Sequence, residues 1–208
     1  MIEMMTNIIP RLKEVNGILA ACNGGAMPFE QALTVARFYY GFQDTNALIA
    51  EAEAVATENP ERLKEAALSL KAETATLLNN IGRLDGVDFR EIANAHSRYY
   101  HDIFQKASDV LNPYWKRYCE LNTRLDYLSL DSKEYAETEK ECEVAKAEHD
   151  RQQVEVKKLY EDYERESRRA GDVFSLKPSH LYALAAKLDG IAGSILNDLD
   201  RMEKGECQ

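Results

Sequence analysis

Residues 135–170 read YAETEKECEVAKAEHDRQQVEVKKLYEDYERESRRA. Within them Tyr135, Thr138, Cys142, Ala145, His149, Gln152, Val156, Leu159, Tyr163 and Glu166 recur at alternating spacings of three and four without a slip. That alternation is the heptad pattern of a helix lying against a partner helix. Several of these positions are polar, so the pattern marks a seam and not a deep apolar core.

The partner precedes it. Asp88-Phe89-Arg90-Glu91 has the form of a capping box, an acidic cap with Glu three residues on. The helix that follows carries Phe89, Ile92, His96, Tyr99, Ile103, Ala107, Val110, Tyr114, Tyr118, Leu121, Leu125 and Leu128. Read through these residues, the spacing stretches to successive fours near Ile103 and again near Tyr114, a stutter that relaxes a supercoil. The second stutter coincides with Asn112-Pro113, and proline inside a helix removes a hydrogen bond and crowds the preceding turn. A kink or a break is therefore expected near Asn112. Leu130-Asp131-Ser132 reverses the chain, with Asp131 and Glu134 forming a second capping-box pattern, and the returning helix is expected to stop at Gly171. Limbs of about 40 residues at 1.5 Å per residue give a hairpin reaching about 60 Å.

A reversal centred on Asp131 places Tyr163 opposite Tyr99, Leu159 opposite Ile103 and Glu166 opposite His96. Toward the tip, Gln152, His149, Ala145, Cys142 and Thr138 face Val110, Tyr114, Tyr118, Leu121 and Leu125. One limb is apolar there and the other largely is not. A buried leucine contributes on the order of 1.5–3 kcal/mol, and polar partners leave little margin over the entropy of ordering the chain. The tip is then either mobile or covered by another chain. The partner-binding residues expected from this imbalance are Leu121, Leu125, Tyr127 and Leu128. Cys119 and Cys142 fall at nearly the same level, but Cys119 stands beside the seam, so free thiols are expected.

Residues 1–86 read as a three-helix body. Met5, Ile8, Leu12, Val15, Leu19 and Cys22 form the first stripe, with Thr6 as cap, Pro10 in the first turn and Asn23-Gly24-Gly25 as the stop. A second helix is expected from about Pro28 to Thr57. Its section Phe38-Tyr39-Tyr40-Gly41-Phe42 is apolar on more than one face, which places it at the centre of the body and makes core packing its role, ahead of a ligand pocket. Asn59-Pro60 starts a third helix carrying Leu63, Ala67, Leu70, Thr74, Leu77, Ile81 and Leu84, and Leu84-Asp85-Gly86 turns. Residues 87–171 form the hairpin arm. Residues 172–208 hold a linker and a last amphipathic helix, from Pro178 or Ser179, whose stripe Leu181, Leu184, Leu188, Ile191, Ile195, Leu199 and Met202 packs on the body or the arm base. The fold class is all-α: an antiparallel helical bundle with a long, coiled-coil-like hairpin.

Composition narrows function by exclusion. A net charge of −10 over 208 residues argues against direct contact with nucleic-acid phosphates or anionic lipid. No apolar run approaches the roughly 18 residues of a membrane span, and MIEMMTNIIP lacks the form of a secretory leader. The four cysteines show no paired spacing, which disfavours a structural zinc site and fits reduced, cytoplasmic thiols. No Glu-x-x-His pair surrounds His96, His101, His149 or His180, so neither metal nor cofactor is expected. The row Arg98-Tyr99-Tyr100-His101-Asp102 spreads around its helix and does not converge as catalysis requires. Arg151, Lys158, Arg165, Arg168 and Arg169 line the returning helix, but Glu161 and Glu164 stand four residues before Arg165 and Arg168, as in a self-paired solvated face. The expectation is a non-enzymatic protein–protein interaction protein, an adaptor, assembly subunit or chaperone-like binder acting on another protein through its arm. Self-association through the arm is a variant of the same use. The rivals are an acidic inhibitor covering a basic, nucleic-acid-handling surface of another protein, and a helical enzyme with an aromatic pocket.

Overall fold

The computed structural model describes residues 3–22, 26–56 and 58–204, with side chains from Asn7 onward. The chain is all-α, and among the described residues there is no strand. In order stand α1 (Glu3–Ala21), α2 (Phe29–Gly41), α3 (Asn46–Ala56), α4 (Pro60–Ile81), a 3-10 turn (Gly82–Leu84), α5 (Phe89–Leu125), α6 (Lys133–Phe174) and α7 (Pro178–Glu203). Two compact units result: Met1–Ala93 with Asp172–Gln208, and Asn94–Gly171.

In the first unit α4 is the central helix. Its heptad row Leu63, Ala67, Leu70, Thr74, Leu77 and Ile81 is buried throughout. α7 lies along it with Leu181, Leu184, Leu188 and Leu199, and α1 packs against it with Ile8, Leu12, Val15 and Leu19. Asn59 caps α4, its Oδ1 accepting the Arg62 N–H at 3.2 Å, with Pro60 in the first turn where no amide is missed. A polar clasp fixes the α1–α4 crossing: the buried Asn16 amide donates to the Glu73 carbonyl at 3.0 Å and to its carboxylate at 2.9 Å. Gly86, at φ 83°, supplies the left-handed residue that the turn into α5 needs.

The expected single helix over residues 28–57 is two helices. α2 stops at Gly41, and Asp44 restarts the chain by accepting the Asn46 N–H on its Oδ1 at 3.0 Å. The aromatic section is not central either. Phe38 is buried, but Tyr39 stacks on His180 at 5.0 Å, Tyr40 is exposed and Phe42 lies under the Arg11 guanidinium at 5.7 Å. Tyr39, Tyr40 and Phe42 form an outer layer over the buried Phe38, and the heptad row of α4 occupies the interior. Pro10 lies well inside α1, since the helix already begins at Glu3. The Thr6 side chain and the Asn23-Gly24-Gly25 stop lie outside the described residues.

The second unit is the antiparallel hairpin of α5 and α6. Of the kink or break expected near Asn112, there is no break: α5 runs as one helix through Asn112-Pro113. The reason lies in the seam. Tyr99 and Val110, read as core positions, are 62% and 57% exposed. The inward residues are instead Tyr100, Phe104, Ala107, Leu111, Tyr114, Tyr118, Leu121 and Leu125, all buried or half-buried. Their spacing alternates three and four throughout, so the stutters vanish and Pro113 falls on the solvent side. On α6 every heptad position from Tyr135 to Glu166 is buried or half-buried, as its period demands. The cap of α6 is Ser132 and not Asp131: its hydroxyl accepts the Tyr135 N–H at 3.0 Å and donates to the Ser129 carbonyl at 2.7 Å. At the other end α6 passes Gly171 and stops at Phe174.

Candidate functional site

The hairpin seam is built from unlike halves. Tyr114, Tyr118 and Leu121 of α5 meet a return face whose Thr138, Cys142 and Ala145 are small. Large side chains on one helix stand against small ones on the other, which covers the polar face, and an open groove lined by Tyr114, Leu121 and Ala145 remains along the Arg117–Glu141 edge. Thr138, Cys142 and His149 are accordingly buried. The His149 ring packs on Trp115 at 5.0 Å while its Nδ1 lies 3.1 Å from the Asp150 carboxylate. Burial pushes the Cys142 thiol above its usual value, with Lys146 pulling it down in part and Glu143 raising it further. Cys119 and Cys142 are not bonded.

Two exposed ion pairs bridge the helices along one edge. Arg117 reaches Glu141 at 3.0 Å, and Arg124 pairs with Glu134 near the turn. Toward the other end of this unit, Glu166 is 4% exposed and accepts from His96 Nε2 at 3.0 Å, Arg169 at 2.6 Å and Arg165 at 3.3 Å. Burial raises its carboxyl, but the His96 and Arg165 hydrogen bonds and the Arg169 charge outweigh this and hold it below the usual glutamate range. An ionised carboxylate only accepts, so His96 carries its proton on Nε2. Glu166 and His96 do lie opposite each other. Tyr163, however, packs on His101 and Phe104 and not on Tyr99. Arg168 pairs with Glu164 at 3.5 Å, whereas Arg165 pairs with Asp162 at 2.8 Å and Glu166 and not with Glu161.

The four residues singled out from the sequence divide. Leu121 is 3% exposed, inside the hairpin's own seam, and Leu125 and Leu128 are half-buried beside the turn. Tyr127 stands 85% exposed. Leu130, which periodicity did not single out because it lies in the turn, is 76% exposed next to it. The tip therefore presents Tyr127 and Leu130 outward over the edges of Leu125 and Leu128. Two exposed apolar residues within one turn are a denser display than single surface apolar residues, which are ordinary.

A cleft lies in the first unit, where sequence reading offered no signal. α3 and α7 part above Leu63 of α4, leaving a cleft of about 560 Å³. Apolar side chains dominate its walls, with Glu53 and Asp198 at opposite sides and Lys187 at one end. Among the described residues no cluster of His, Cys, Asp and Glu is placed to hold a metal ion, and no helix is long and apolar enough to cross a membrane. No protein family, curated protein or solved structure matches the chain.

Proposed function

We propose that this is a non-enzymatic interaction protein of the cytoplasm, an adaptor, assembly subunit or chaperone-like binder, that engages another protein through the tip of the hairpin. The observation that carries this reading is the outward display of Tyr127 and Leu130 on a turn whose two helices are bridged by Arg124–Glu134 and Arg117–Glu141. Aromatic and aliphatic anchors on a rigid support favour binding because the backbone that carries them has little entropy left to lose. Leu125 and Leu128 widen the contact at its margin. Leu121 acts one step back, by holding the tip together.

The experiment is site-specific photocrosslinking in cells, with the crosslinker at Tyr127, at Leu130 and, as control, at the exposed Val154. A discrete adduct from the two tip positions and none from Val154 is the expected result. Equal adducts from all three positions, or none from the tip, would remove the basis for the reading. A dimer of the chain as the only adduct would point to self-association instead.

A second reading, an acidic inhibitor of a basic nucleic-acid-handling surface, is favoured by the exposed Glu139 and Glu143, one turn apart on α6 close to the same tip. The two readings differ in salt response. Apolar anchoring by Tyr127 and Leu130 persists at high ionic strength, whereas binding by exposed carboxylates collapses as the Debye length shrinks to about 3 Å at 1 M salt.

A further inference from the structure

The α3–α7 cleft is a trough and not a closed chamber. Ile49 on one lip and Met202 on the other are each about two-fifths exposed, at 40% and 41%. It follows α7 from Lys187 to Met202, a run of about 22 Å at 1.5 Å per residue. Its depth comes from missing side chains: Gly190 and Ser194 stand on the α7 wall and Ala52 and Ala56 on the α3 wall. A Cβ added at Gly190 would meet nothing within 4 Å. The space is real, and α7 keeps a glycine in its interior although alanine there is favoured by about 1 kcal/mol.

Length, an open roof and apolar walls suit the row of side chains that one face of a helix presents at i, i+3 or i+4, and i+7. Charge settles which helix. The carboxylates of Glu53 and Asp198 flank the trough from opposite walls, Asp198 with the exposed Arg201 guanidinium at 4.0 Å outside the lining, and Lys187 is the single ammonium within it, in a chain of net charge −10. An anionic amphiphile such as a fatty acid would lay its chain between two carboxylates. A helix with a leucine-type face and lysine or arginine flanks would pair with them instead. We infer that the α3–α7 trough receives a basic amphipathic helix from a partner protein. This surface shares no residue with the hairpin tip and does not depend on the reading given to it.

The test is isothermal titration of the full chain with synthetic peptides of about 18 residues, roughly 27 Å as a helix. One has leucines at i, i+3, i+4 and i+7 with lysines between them; a second scrambles the same composition; a third replaces lysine by glutamate. The patterned leucine–lysine peptide should bind at least about tenfold more tightly than either control, a difference of about 1.4 kcal/mol. Gly190→Phe, which fills the trough from a helical position with room for a side chain, should weaken that binding by about tenfold or more. Glu53→Lys with Asp198→Lys, both exposed, should do the same without touching the core. Tyr127→Ser should leave it unchanged, which separates failure here from failure of the tip reading. The inference is overturned by equal binding of the scrambled peptide, or by unchanged affinity in Gly190→Phe of wild-type helicity and melting temperature. Unchanged affinity in the double lysine variant overturns it too, as does a melting shift with palmitate where no peptide binds.

Discussion

Glu166 Oε2 lies 3.0 Å from His96 Nε2 across the hairpin, with the carboxylate almost wholly removed from solvent. Such a group is stabilising only while it stays ionised and paired. Its carboxyl is held below the ordinary glutamate value of about 4.3. The sign follows: the contribution is present in full above that ordinary value and is lost as pH falls through the lower, folded one. Glu166→Gln should therefore destabilise the protein at pH 7 by about 1–3 kcal/mol. The difference between variant and wild type should close in denaturant melts as pH drops below about 4. A gap that stays constant down to pH 2 would show that the carboxylate charge is irrelevant.

Pro113 sits in the interior of α5 on its exposed side, with no break around it. The missing amide costs the helix one hydrogen bond and brings no packing in return. Pro113→Ala should raise stability, by about 1–3 kcal/mol on the difference in helix propensity, and should increase helicity by circular dichroism. A loss of stability would mean that the proline serves the geometry of the hairpin.

The two helices of the hairpin differ in how well their sequence could be read, and the reason is physical. On α6 the three–four period runs through polar residues without a slip, and all ten positions from Tyr135 to Glu166 turn inward. On α5 apolar identity and period conflict: Tyr99 and Val110 are apolar but face solvent, while Tyr100 and Leu111 complete the alternation and turn inward. A tyrosine and a valine at solvent positions cost little, so their presence says little. The split of α2 from α3 was signalled only by Gly41 and Asp44, inside a run whose apolar spacing hardly changes. The trough left no trace in periodicity at all. It arises from the separation of two helices, and Gly190, Ala52 and Ala56 look like ordinary small residues until that separation is known.

Leu121 and Tyr127 lie on the same stretch of chain and should fail in opposite ways. Leu121 is buried in the seam, so Leu121→Ala removes packing and leaves a cavity, at about 2–5 kcal/mol. Tyr127 is exposed, so Tyr127→Ser should shift the unfolding midpoint by no more than about 0.5 kcal/mol. Urea titrations of both variants check this directly. A large stability loss in Tyr127→Ser would mean that its ring supports the turn and is not displayed for a partner.

Cys142 offers a readout of how firmly the tip is closed. Its thiol is buried in the seam and shifted upward by that burial, whereas Cys119 is half-exposed. The thiolate is the reactive form, so a raised and shielded thiol reacts slowly on both counts. Alkylation by iodoacetamide at pH 8, followed by mass spectrometry, should label Cys119 first and Cys142 well behind it. Leu121→Ala should speed Cys142 selectively, because labelling then proceeds through opening of the weakened seam. If Cys142 reacts as fast as Cys119 in the wild-type chain, the small-against-large packing of Thr138, Cys142 and Ala145 under Tyr118 and Leu121 does not close the tip in solution. Tyr127 and Leu130 would then have no rigid base to stand on.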